Sequence, residues 1–97
     1  MHEKDLNKEN FVHADITEKI IGCAFTVMNT LGTGFLEKVY ENALTIELRN
    51  NGLKVVQQKP IEVRYRELLV GEYFADLVVE EKILVELKAS QSLDDVY

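Results

Sequence analysis

The stretch Phe74 to Lys88, FADLVVEEKILVELK, constrains the fold of this chain more than any other segment. Its apolar residues lie on either side of the charged triplet 80–82, which is typical of two short antiparallel strands joined by a turn. Successive side chains of a strand point to opposite faces, so Leu84, Glu86 and Lys88 should share one face of the second strand. The segment therefore predicts a β-hairpin that carries charged residues on one face.

The length of the hairpin connection decides where Asp76 lies. A three-residue loop would pair Val79 with Ile83, and it would place Asp76 directly opposite Glu86 as a cross-strand neighbour. A two-residue turn would move Asp76 to the other face of the sheet and remove this arrangement. Both connections are compatible with the sequence.

Charged residues on otherwise apolar strands have two interpretations. An antiparallel sheet often has one solvated face, where Glu and Lys pair only weakly. Alternatively, two carboxylates at one point are hard oxygen ligands for Mg²⁺ or Mn²⁺, and an adjacent ammonium can hold or activate a metal-bound water. The second interpretation makes this face a candidate metal site.

Two motifs resemble known protein patterns. Asp76 followed by the triplet 86–88, Glu-Leu-Lys, resembles the D…E-x-K signature of the PD-(D/E)XK nuclease superfamily. The upstream segment LGTGFLEKVY resembles the GxxExxY family of small proteins placed in that superfamily. Within it, Gly34, Glu37 and Tyr40 stand at the named positions of the motif.

The resemblance covers residues 16–89 and implies a restriction-endonuclease-like core. It implies an enzyme that hydrolyses phosphodiester bonds of DNA or RNA with Mg²⁺ or Mn²⁺. Asp76 and Glu86 would hold the metal together with the carbonyl of Leu87. Glu37 would help to hold the metal or its water, and Lys88 would orient the attacking water or stabilise developing negative charge.

The helix pattern alone leaves the roles of Glu37 and Tyr40 open. Glu37 lies near the edge of an apolar stripe, beside Leu44 and Leu48, but the helix dipole also stabilises a carboxylate in a first turn. Tyr40 follows one turn later and could direct its hydroxyl to Glu37 or to a bound phosphate. It could equally be a core residue with a solvated tip.

The remaining patterns predict two helices followed by a three-stranded antiparallel meander, an α/β domain that is α+β by order. A capping box formed by Asp15 and Glu18 should open the first helix, and Gly32 should end it. The second helix is expected over residues 35–50. The strands are expected over residues 53–65 and 71–79 and after the triplet 80–82.

We expect residues 1–14 to form a flexible arm and residues 15–97 to form one nuclease-like domain. Members of the superfamily continue into a further helix and usually another strand. In the exonuclease-like branch that helix carries a Q-x-x-x-Y element, and the spacing of Gln91 and Tyr97 does not match it. The predicted domain is therefore partial at its C-terminus, and an uncovered core predicts self-association or a protein partner that covers it.

Composition limits the possible partners and the location. The net charge of −6 argues against a broad basic surface for nucleic acid, although a cation would offset acids that act as its ligands. No apolar run approaches the roughly 20 residues that cross a bilayer, and no signal-peptide core is seen, so we expect a cytoplasmic protein without a membrane span. The single cysteine, Cys23, lies in an apolar helix pattern and is expected in the core.

Two functional hypotheses from different classes follow. A metal-dependent nuclease is favoured because Glu37, Asp76, Glu86 and Lys88 are all present. A non-catalytic interaction module, or a metal-stabilised subunit, on the same fold is favoured by the acidic charge, the small size and the missing C-terminal part. Whether the chain is an enzyme stays open on the sequence.

Overall fold

The computed structural model describes residues 13–88, which form two helices and one antiparallel sheet. The three strands of the sheet lie side by side in chain order, so the second and longest strand is in its centre. The predicted order of two helices followed by a three-stranded antiparallel meander is confirmed. Most of the predicted arm and the segment 89–97 lie outside the described residues, so the domain boundary stays a prediction. The elements are α1 (Ala14–Leu31), α2 (Glu37–Asn50), β1 (Val55–Tyr65), β2 (Leu68–Val79) and β3 (Ile83–Val85).

The first helix begins earlier than its predicted cap. His13 is the N-cap and Ala14 is the first helical residue, so the predicted capping box with Asp15 as N-cap is wrong. Asp15 instead lies inside the first turn, where its Oδ1 accepts a hydrogen bond from the backbone N–H of Ile16 at 2.9 Å. A carboxylate at this position is still stabilised by the helix dipole. Gly32 ends the helix as predicted, with a φ of +76° that a glycine adopts without strain.

In the core, α2 packs on one face of the sheet and α1 packs on α2. Leu48, Leu77 and Val79 are fully buried, and their side chains come from α2 and β2. Burying such side chains away from water supplies most of the stabilisation that a domain of this size has. The buried residues that form the core cluster are Ile20, Cys23, Val27, Leu44, Leu48, Leu53, Val55, Leu77 and Val79.

Cys23 lies in this core, as predicted. Its thiol is buried, and Asn51 Nδ2 lies 3.4 Å from its Sγ. Burial raises the pKa of the Cys23 thiol, and the nearby Glu47 carboxylate raises it further. A thiol that stays protonated is a poor nucleophile, which agrees with a structural role.

The turn between β1 and β2 is shorter than predicted. Arg66 and Glu67 form a two-residue connection, and both have positive φ, 51° and 69°. This is the backbone of the turns that match the twist of paired strands. The second strand therefore begins at Leu68 and not at Gly71, and most side chains of the hairpin are exposed.

The connection between β2 and β3 is the three-residue loop 80–82. Val79 pairs with Ile83, and the N–H of Lys82 donates to the carbonyl of Val79 at 3.0 Å. Glu80 Oε2 accepts a hydrogen bond from the N–H of Lys54 at 2.7 Å, which fastens the loop to the chain just before β1. Of the two connections that the sequence allowed, the structure has the three-residue loop. The strand β3 ends at Val85, so the prediction that Glu86 and Lys88 lie on it is wrong. Pairing stops there, and the N–H of Leu87 donates to the side chain of Asp76.

No helix within the described part of the chain is long and apolar enough to cross a membrane. The compartment in which the protein works stays a prediction.

Candidate functional site

Asp76 contacts the segment that carries Glu86 and Lys88. The β2–β3 pairs run from Val79 and Ile83 to Leu77 and Val85, so Asp76 and Glu86 are the residues that follow the last pair of the ladder. At that position the backbone N–H of Leu87 donates a hydrogen bond to Asp76 Oδ2 at 2.7 Å. The three-residue loop therefore brings the predicted aspartate to the predicted Glu-Leu-Lys triplet.

The two charged side chains of that triplet are accessible. Glu86 and Lys88 are exposed, whereas Asp76 and Leu87 are half-buried. Ion pairs among residues 13–88 join Lys38 to Glu41 and Arg64 to Glu62, and neither pair includes Glu86 or Lys88. A ligand approaching the triplet would therefore meet a carboxylate and an ammonium that face solvent.

A buried glutamate lies close to this hairpin. Glu41 of α2 is only 4% exposed, and its carboxylate accepts three hydrogen bonds. Lys38 Nζ and Gln57 Nε2 donate to Oε2 at 3.1 and 2.8 Å, and Gln58 Nε2 donates to Oε1 at 3.0 Å. A carboxylate is tolerated away from water when its oxygens are paired in this way.

Gln58 joins this glutamate to the predicted site. Its Nε2 atom lies 3.0 Å from Glu41 Oε1 and 3.4 Å from Asp76 Oδ1. One amide group therefore contacts two carboxylates that belong to different elements. We refer to Glu41, Gln58 and Asp76 as the carboxylate bridge.

Glu37 occupies a different place from Glu41. It is the first residue of α2 and is exposed, one helical turn before Glu41. The carboxylate that Gln58 links to Asp76 is that of Glu41. A role for Glu37 in holding a metal or its water stays a prediction.

Tyr40 closes the turn between the two helices. Its hydroxyl donates to the carbonyl of Gly32 at 2.6 Å and accepts from the N–H of Phe35 at 3.2 Å. Its ring packs edge-on against Phe35, with 6.1 Å between the ring centroids. The two hydroxyl contacts favour the interpretation of Tyr40 as a core residue with a polar tip that holds the loop.

Three residues near the site escaped the sequence analysis: Glu41, Gln57 and Gln58. A signal existed for Glu41, because it lies four residues after Glu37 and three before Leu44, in the same row of the helix. Gln57 lies two residues after the buried Val55, which places it on the same face of the strand. Gln58 gave no such signal, since its position depends on an unusual backbone angle.

The donor chemistry of the site suits a hard divalent cation. Asp76 and Glu86 supply carboxylate oxygens and Leu87 supplies a backbone carbonyl, the ligand types that Mg²⁺ and Mn²⁺ prefer. Within residues 13–88, no group of three or more His, Cys, Asp or Glu side chains is placed to hold a metal ion. Mg²⁺ is usually held by one or two carboxylates, waters and substrate phosphates, so a site of this kind needs no third acid.

Comparison with known proteins gives one match. A family model described as the PD-(D/E)XK nuclease superfamily matches residues 14–97, which include both helices, all three strands and every candidate residue. No curated protein and no solved structure matches the chain.

Proposed function

Since the chain belongs to the PD-(D/E)XK nuclease superfamily, we propose that it hydrolyses phosphodiester bonds of DNA or RNA with Mg²⁺ or Mn²⁺. We further propose that it falls within the GxxExxY family of that superfamily. The observation that carries the proposed activity is the hydrogen bond of 2.7 Å from the Leu87 N–H to Asp76 Oδ2. That bond joins the aspartate to the segment with the remaining candidate residues.

Asp76, Glu86 and the carbonyl of Leu87 would hold the cation, with Glu37 as a further acid that holds the metal or its water. A bound divalent cation supplies Lewis-acid charge at the phosphate and lowers the pKa of a coordinated water. The protein contributes the carboxylate of Asp76, whose orientation is set by backbone and side-chain hydrogen-bond donors. Such support of a ligand by its neighbours usually governs metal affinity.

Lys88 would act on the phosphate or on the attacking water. Its ammonium is exposed and lies in the same triplet as Glu86, so it can approach a phosphate that the site has bound. A positive group aimed at charge that develops in the transition state lowers the barrier more than it strengthens substrate binding. Loss of Lys88 should therefore reduce kcat more than it raises KM.

The charge of the chain shapes how nucleic acid would bind. A net charge of −6 opposes the approach of a polyanion, and Arg64 is already paired with Glu62 at 3.0 Å. Few phosphate contacts by lysine and arginine should give a shallow dependence of binding on salt. We therefore expect the cation to contribute much of the attraction between this site and its substrate.

The test is cleavage of labelled single-stranded and duplex DNA and RNA with Mg²⁺ or Mn²⁺, with a chelator control. We expect divalent-dependent cleavage that is lost in Lys88→Ala while circular dichroism shows an intact fold. Lys82→Ala is the matched control, because Lys82 is an exposed lysine in the loop of the same hairpin. Cleavage that survives in Lys88→Ala would contradict the role given to Lys88.

A second candidate function is a non-catalytic interaction module on the same fold. It is favoured by large apolar side chains at the surface, with Phe25, Leu68 and Phe74 exposed by 64%, 71% and 61%. Contact regions between proteins typically contain such groups in a contiguous surface patch. Under this hypothesis the protein self-associates or binds a covering partner, and sedimentation at several concentrations would show association while no nucleic acid is cleaved.

A further inference from the structure

Gln58 has an unusual backbone conformation for a residue within a strand. Its φ is +53°, in the left-handed region that residues with a side chain adopt only at a cost. Gln57 pairs with Leu77 and Lys59 pairs with Ala75, but the ladder has no pair at Gln58. Both neighbouring pairs keep the same register, so the departure is confined to a single residue opposite Asp76.

This departure changes where the side chain of Gln58 can reach. Successive side chains of a regular strand point to opposite faces. Here the amides of both Gln57 and Gln58 donate to the carboxylate of Glu41, at 2.8 and 3.0 Å. In a regular strand only the amide of Gln57 would face Glu41. The left-handed conformation lets the amide of Gln58 reach the same carboxylate.

We propose that Gln58 is a positioning residue of the candidate nuclease site, and this inference rests on the function proposed above. Its amide holds Asp76 Oδ1 from one side, while the N–H of Leu87 holds Oδ2 from the other. Each carboxylate oxygen has two lone pairs, so both oxygens keep one that can bind a cation. The strained backbone is maintained because it restricts the orientation of the carboxylate before any ligand arrives.

Glu41 serves as the anchor of this arrangement. It is buried on α2 and is also held by Lys38 and Gln57, so its Oε1 offers Gln58 a fixed acceptor. Two carboxylates that share one region repel each other, and an N–H₂ group that donates to both offsets that repulsion. Through Gln58, the helix therefore constrains an aspartate of the central strand.

Two variants separate the positioning of Asp76 from the support of Glu41. Gln58→Gly suits the positive φ and removes the amide, so it takes away the contacts with Glu41 and Asp76 together. Gln57→Ala is the matched control, because Gln57 donates to Glu41 and Asn42 and has no hydrogen bond to Asp76. In calorimetric titrations with Mn²⁺, Gln58→Gly should bind about 10- to 100-fold more weakly than wild type. Gln57→Ala should keep the wild-type affinity, because Lys38 Nζ still donates to Glu41 Oε2 and Gln58 keeps its contact with Asp76.

A second measurement needs no metal. The N–H of Leu87 is held by Asp76, so its hydrogen exchange, measured by NMR, reports how firmly that carboxylate is oriented. Gln58→Gly should speed this exchange by about fivefold to tenfold, and Gln57→Ala should not. Gln58→Asn is a further variant, since asparagine tolerates positive φ but its amide is one methylene shorter. It should shift both readouts in the same direction as Gln58→Gly.

The outcomes distinguish the two proposals. Mn²⁺ binding that is lost in Asp76→Asn but unchanged in Gln58→Gly would overturn the role of Gln58 and leave the proposed function standing. Equal losses in Gln57→Ala and Gln58→Gly would show that both amides act only by supporting Glu41, which also overturns the positioning role. A wild-type chain that binds no Mn²⁺ would overturn the proposed function. Hydrogen exchange of the Leu87 N–H that is the same in Gln58→Gly as in wild type would overturn the positioning of Asp76 by Gln58.

Discussion

Replacing Glu41 with alanine tests whether a buried carboxylate fastens α2 to β1. Glu41 is 4% exposed, and it bonds Gln57 and Gln58 of the strand at 2.8 and 3.0 Å. Removing it leaves these two amides without that acceptor and opens a small space in the helix–sheet interface. The free energy of unfolding should fall, because the folded protein loses the hydrogen bonds between the carboxylate and the two amides.

The contacts set the size of the loss. The Lys38 side chain is 60% exposed, so its ion pair with Glu41 contributes about 0–1 kcal/mol. Gln57 keeps a second acceptor, Asn42 Oδ1 at 2.9 Å, and Gln58 is exposed, so each lost bond should cost only about 1 kcal/mol. We therefore expect Glu41→Ala to destabilise the protein by about 2–3 kcal/mol.

The assay is unfolding by urea, followed by far-UV circular dichroism. The slope of the free energy of unfolding against urea concentration should match that of wild type. Glu41→Gln retains one acceptor oxygen and should lose about 1 kcal/mol. Glu18→Ala removes an exposed helical glutamate and should change stability by less than about 0.5 kcal/mol. A Glu41→Ala variant as stable as Glu18→Ala would refute the argument that this carboxylate holds the helix on the strand.

Two further predictions concern the core and the interhelical turn. Because the pKa of the Cys23 thiol is raised in the folded protein, the thiol ionises at lower pH in the unfolded chain than in the folded one. Its contribution to the free energy of unfolding is therefore complete below the ordinary thiol pKa. That contribution is lost as pH rises toward the pKa of the folded protein. The free energy of unfolding should fall by up to about 1.4 kcal/mol per pH unit in that window, and urea titrations of Cys23→Ala should lack this component. Tyr40→Phe removes the hydroxyl between Gly32 and Phe35 and should lower stability by about 1 kcal/mol, seen as a lower thermal midpoint; an unchanged midpoint would contradict the role of the hydroxyl in closing the turn.

The candidate site was only partly predictable. Asp76 and the Glu-Leu-Lys triplet were found because charged residues stand out on apolar strands, but the sequence did not choose between the two hairpin connections. The choice depends on Glu80 and Glu81, which both adopt positive φ in the three-residue loop, and on the bond from Lys54 to Glu80. A local pattern carries little information about a contact with a residue 26 positions away.

The error at the first helix has a related cause. Asp15 followed by Glu18 fits a capping box, yet the chain continues the helix back to Ala14 with His13 as its cap. The Asp15 carboxylate is accommodated equally well inside the first turn, where it bonds the N–H of Ile16. Helix starts are weakly specified by sequence because several positions can satisfy the same free N–H groups.

The sequence by itself determined the two helices, the end of α1 at Gly32, the order of the strands and the hairpin that carries Asp76 and leads to Glu86. These features follow from periodicity and turn chemistry, which depend on residues close together in the chain. Only the tertiary structure decided the carboxylate bridge, because Gln58 meets Glu41 and Asp76 across 17 and 18 positions of sequence. Its positive φ costs free energy, and the packing of α2 against the sheet brings Glu41 within reach of the amide that also contacts Asp76.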